Sequence, residues 1–106
     1  MASGSTNRTA RIKPVRVLLV DDEKAATQYI QRELGQCREW KCRVFLSASL
    51  QGARAFLGRQ MPDIVLLDLK LPDAQGLKTL QSMQEAAPGV SILVLGRMEN
   101  EKTSTD

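Results

Sequence analysis

Asp63-Ile64-Val65-Leu66-Leu67-Asp68 is the stretch that decides the fold: a short apolar run closed by an acid. Such a run, too continuous for a strand with one wet face, predicts a strand buried on both sides. Val15 to Val20 has the same character, interrupted only by Arg16 and stopped by Asp21-Asp22. Between them, Ala26, Ile30 and Leu34 recur every four residues with Tyr29 and Cys37 on or beside the stripe, which predicts a helix from about Glu23 to Gln36. Cys42 to Leu46 reads as another strand. Ser49 is a candidate N-cap for a helix whose apolar positions are Leu50, Ala53, Phe56 and Leu57, and which ends by Pro62.

Beyond Asp68, Leu71-Pro72-Asp73-Ala74-Gln75-Gly76 is rich in turn residues. Leu77, Leu80, Met83 or Gln84, and Ala87 then give a third amphipathic helix, ended by Pro88-Gly89. Val90 to Leu95 reads as a fourth buried strand. The order βαβαβαβ with short apolar strands predicts an α/β fold built on a doubly wound parallel sheet. Ligands of such sheets bind at the carboxyl ends of the strands, where the strand order reverses.

The 106 residues, 42% of them hydrophobic, suffice for one core. Residues 1–13 are polar and aperiodic and are expected to be a disordered lead-in, with the domain spanning residues 14–106. The net charge of +3 comes from scattered Lys and Arg, so no nucleic-acid partner is expected. The chain has no His. That excludes a Cys–His zinc site and a Ser or Cys nucleophile served by an imidazole base; Cys37 and Cys42 read as reduced thiols, with a disulfide across their short loop as the alternative. No membrane span, secretory signal or glycine-rich phosphate loop is present, so a cytoplasmic protein that does not bind nucleotides is expected.

Asp21 and Asp22 end the first strand and Asp68 ends the third. If those strands are neighbours, three carboxylates meet in one crevice, where they repel one another unless a cation neutralises them. Hard oxygen ligands suit Mg²⁺ or Mn²⁺. A carboxylate can also attack a phosphoryl group to give an aspartyl phosphate. Asp68 is the candidate nucleophile, and the adjacent pair Asp21 and Asp22 is better suited to holding the ion.

Val17-Leu18-Leu19-Val20-Asp21-Asp22-Glu23 and the segment from Pro62 through Asp68-Leu69-Lys70-Leu71-Pro72 to Gly76-Leu77 resemble the signature segments of response-regulator receiver domains. The resemblance covers about Val15 to Glu101. It implies a flavodoxin-like fold with strand order 2-1-3-4-5 and a phosphoryl group supplied by the phosphohistidine of a sensor histidine kinase. It implies Asp68 as phosphoacceptor, Asp22 as direct Mg²⁺ ligand, Asp21 as an acid acting largely through water, and Lys70 as the donor of a backbone carbonyl to the metal. Pro72 and Gly76 match the turn that shapes the intervening loop.

Two departures from the family pattern stand out. Gly96 occupies the place where receivers carry Thr or Ser, so a hydroxyl donor is lost; the Gly96 amide or Arg97 would have to substitute. The chain also ends before a fourth helix, fifth strand and fifth helix, and with them the strand-five Lys that pairs with the phosphoryl group. The fourth strand is then expected to be an exposed edge open to homodimerisation. A degenerate receiver acting as an unphosphorylated interaction module is the alternative. An aspartate-dependent phosphatase is disfavoured because Lys70 stands where its second Asp would be.

Overall fold

The computed structural model describes residues 13–37 and 41–96. The expected lead-in over residues 1–12 and the suggested role of Arg97 lie outside the described residues. In chain order the elements are β1 (Val15–Val20), α1 (Lys24–Gly35), β2 (Cys42–Ser47), α2 (Leu50–Leu57), β3 (Ile64–Asp68), β4 (Lys70–Leu71), β5 (Ala74–Gln75), α3 (Leu77–Ala86) and β6 (Ser91–Leu95). The four long strands form one parallel sheet in the order β2-β1-β3-β6. This is the doubly wound flavodoxin-like arrangement, with β6 as its fourth strand.

The apolar runs become strands because both faces of the central pair are covered. On one face Leu18, Val20, Val65 and Leu67 pack with Ala53, Phe56 and Leu57 of α2 and with Met83 and Ala87 at α3. The Phe45 and Phe56 rings meet there at 5.1 Å. On the other face Leu19 is buried, and α1 leaves an apolar groove of about 460 Å³ lined by Val15, Val17, Leu34, Ile64, Leu66 and Leu93. Ser49 does cap α2, its hydroxyl accepting from Gly52 N at 3.0 Å. No helix among the described residues is long and apolar enough to cross a membrane.

Three details differ from the sequence reading. The turn-rich stretch contains a two-stranded antiparallel hairpin, Lys70–Leu71 against Ala74–Gln75, with Pro72-Asp73 as its turn. Leu77 is 69% exposed, and α3 buries Thr79 beside the expected Met83. Tyr29 is also exposed, while Thr27 takes the buried position on α1 because its hydroxyl donates to the Lys24 carbonyl at 3.0 Å. β6 is the exposed edge expected of the fourth strand: Leu93 and Val94 are 54% and 43% exposed, and among the described residues no strand flanks its outer side.

Candidate functional site

The sheet register builds the site. Cα partners Val17↔Ile64 through Val20↔Leu67 hold β1 and β3 at a constant offset. The same offset carried one residue further brings Asp21 level with Asp68. Asp21 is anchored by its own main chain, whose N–H donates to the Ser47 carbonyl at 3.0 Å. Its Oδ1 accepts from Glu23 N at 2.9 Å, a bond that turns the chain out of β1 and into α1. Asp68, the last residue of β3, is 1% exposed, and its Oδ1 accepts from Lys70 N at 3.0 Å.

Asp22, unlike the other two, is exposed. One carboxylate oxygen from each of Asp21, Asp22 and Asp68 nevertheless lies within 4.8 Å of the other two. The three acids expected to converge therefore do so. Opposite ligands of an octahedral Mg²⁺ stand about 4.2 Å apart, twice the usual ion–oxygen distance. The cluster is only slightly more open than that shell, and its all-oxygen chemistry suits a hard divalent cation. Lys70 sits two residues from Asp68 at the start of the hairpin, held by the bond from its amide to that carboxylate.

Gly96 follows Leu95, the β6 partner of Asp68, so it stands just past the level of the acids. Among the described residues, a Cβ there would meet nothing within 4 Å. Gly76, with φ 74°, closes the hairpin, and its N–H donates to the Leu69 carbonyl at 2.9 Å. Only glycine takes that backbone conformation at little cost.

Sequence reasoning missed Asp73. Its two oxygens accept from Leu50 N at 2.8 Å and Gln51 N at 2.9 Å, the first amides of α2. Those donors have no carbonyl within the helix to bond. The two bonds favour the charged carboxylate and hold Asp73 below its ordinary range, outweighing a small opposing effect of burial. The signal was present as a Pro-Asp turn facing a Ser-capped helix, but nothing local in sequence joins them.

Residues 17–106 match the family model of the response regulator receiver domain. The probable transcriptional regulatory protein TcrX of Mycobacterium tuberculosis is 35% identical over 88 residues, which cover 83% of this chain and 36% of that protein. A protein-glutamate methylesterase/protein-glutamine glutaminase of Cereibacter sphaeroides is 35% identical over 97 residues, covering 89% of this chain and 26% of that protein. The chain thus spans about a third or less of these curated relatives. Among solved structures, a CheY-like response regulator receiver domain protein from Methanospirillum hungatei superposes with a TM-score of 0.67 at 24% identity, over 88% of this chain and 74% of that one.

Proposed function

The chain belongs to the response regulator receiver domain family of two-component signalling, and on that premise we propose that Asp68 accepts a phosphoryl group from the phosphohistidine of a sensor histidine kinase. In that step a carboxylate oxygen of Asp68 forms the new P–O bond. The P–N bond breaks, and its electron pair stays on the imidazole nitrogen, which takes up a proton. The observation that carries the reading is the meeting of Asp21, Asp22 and Asp68 within 4.8 Å at the strand ends.

Asp22 and Asp68 would bind a Mg²⁺ or Mn²⁺ ion directly, Asp21 would act on it largely through water, and the Lys70 carbonyl would complete the protein's ligands. Such an ion, when bound, offsets the negative charge that a phosphoryl group brings to three carboxylates. The chain's own residues do the rest. Burial of Asp68 keeps bulk water from competing for its carboxylate, and the Lys70 amide orients it. The Gly96 amide takes the place of the family's hydroxyl donor. On this reading the chain is a cytoplasmic phosphoacceptor module and not an enzyme acting on another substrate.

The exposed apolar side chains of β6 favour a second role, pairing of two copies edge to edge, which would also serve an unphosphorylated interaction module. The phosphoacceptor reading is tested by incubating the chain with a small phosphodonor and Mg²⁺, then measuring acid-labile phosphate by intact mass. One phosphoryl group is expected, with none on Asp68→Asn. Equal incorporation by both proteins would refute the assignment.

A further inference from the structure

The hairpin after Asp68 is joined to the rest of the fold at both ends. At its base, Lys70 N donates to Asp68 Oδ1 at 3.0 Å and Gly76 N to the Leu69 carbonyl at 2.9 Å. Pairing of Lys70 with Gln75 and of Leu71 with Ala74 makes the segment a single ribbon. At its tip, Asp73 reaches α2 through the two bonds to Leu50 N and Gln51 N. Both of its oxygens accept, so the contact fixes the direction of the carboxylate as well as its position.

The start of α2 is itself tied to the opposite acidic turn. Asp21 N donates to the Ser47 carbonyl at 3.0 Å, and the Ser47 hydroxyl donates to the Ser49 carbonyl at 2.9 Å. One hydrogen-bonded route therefore leads from Asp21 through Ser47 and Ser49 to the first turn of α2. From there it crosses Asp73 and the hairpin to Lys70 and Asp68. Its two ends are the two buried members of the carboxylate cluster.

We propose that Asp73 is a positioning residue for the cation site: by clamping the hairpin tip to the first turn of α2, it holds the Leu69–Leu71 segment beside Asp68 and sets how tightly the cluster takes a divalent ion. The proposal rests on the reading of the cluster as a metal centre and adds a residue that touches neither ion nor phosphoryl group. Leu71, 1% exposed, also pins the hairpin to the core, so loss of the clamp loosens the site without dissolving it.

The test compares the wild-type chain with Asp73→Ala, Asp73→Asn and Ser49→Ala. The last removes only the side-chain cap to Gly52 N and keeps both the hairpin clamp and the Ser49 carbonyl that Ser47 bonds. Mg²⁺ is titrated against amide NMR shifts, and exchange of the Lys70 amide is followed without metal. In D73A the Mg²⁺ Kd is expected to rise about tenfold, at the low end of what outer partners of ligands contribute, with faster Lys70 exchange. D73N, which keeps one acceptor oxygen, falls between, and S49A matches wild type in both readouts while melting at a lower temperature. Wild-type values in D73A, or equal losses in S49A and D73A, would overturn the proposal and leave Asp73 as an ordinary helix cap. Absence of Mg²⁺ binding by the wild-type chain would overturn the metal-centre reading as well, an outcome distinct from either.

Discussion

Arg16 and Asp63 exchange two hydrogen bonds, Arg16 N donating to Asp63 Oδ2 at 2.8 Å and Asp63 N to the Arg16 carbonyl at 2.8 Å. The Arg16 guanidinium adds a bond to the Met61 carbonyl at 2.7 Å. This clamp lies at the opposite end of β1 and β3 from the carboxylates, and it fixes the offset that makes Asp21 level with Asp68. A slip of one residue would turn every side chain of the strand to the other face. Asp63→Ala is expected to cost about 1 kcal/mol, the usual net worth of one such bond. A lowered urea midpoint at unchanged slope is the expected result.

The three acids are not expected to contribute equally to cation affinity. On the proposed ligand roles, Asp22→Asn takes the charge from a direct ligand and is expected to weaken Mg²⁺ binding by more than about a hundredfold, beyond the range of outer partners. Asp21→Asn, acting through water, is expected to cost about ten- to a hundredfold. Calorimetric titration that ranks Asp21 above Asp22 would reverse their roles.

Asp73 gives the fold an acid-sensitive element. Its carboxyl is held below the usual carboxylate range by the Leu50 and Gln51 amides. The folded state therefore binds this proton more weakly than the unfolded chain, and the contribution is full above the unfolded value. It fades as pH falls through the folded one, below about pH 4. The difference in melting temperature between wild type and D73A is expected to shrink on acidification into that window and to be flat above it.

Thr79 is fully buried in α3, and its hydroxyl has no hydrogen-bond partner among the described residues. A buried hydroxyl without a partner costs about 1–3 kcal/mol relative to a satisfied one. Thr79→Val keeps the branched shape and removes the orphan. Stabilisation of about 1 kcal/mol is expected by chemical denaturation; a loss of stability would mean that the hydroxyl is satisfied.

On β6, Leu93→Lys places a charge on the exposed edge, a device that blocks strand addition. The wild-type chain is expected to show a mass by light scattering that rises with concentration, and the variant to remain monomeric. A wild-type chain that stays monomeric throughout the range removes edge pairing.

The strands were legible because burial on both faces leaves an unbroken apolar run, and because the acids that stop β1 and β3 mark where those strands end. The strand order then brought Asp21, Asp22 and Asp68 together without further information. The hairpin was not legible: strands of two residues carry no periodicity, and the contact of Asp73 with Leu50 joins residues far apart in the chain. On α3 the stripe read from the sequence holds at Leu80, Met83 and Ala87 and fails at Leu77, which stays in solvent at the first turn while Thr79 is buried. A Thr seldom looks like a core residue, which hid both Thr27 and Thr79.

The parallel pairing of β1 with β3 also dictates when the crevice can come into being. No tight turn can join those strands, so α1, β2 and α2 lie in the intervening chain, and its loop-closure entropy is spent before the pairing returns any energy. The two acidic turns thus meet only once the central sheet has assembled. A cation captured there would stabilise the entire domain against unfolding and not merely a loop, and occupancy of the pocket and persistence of the fold would then rise and fall together.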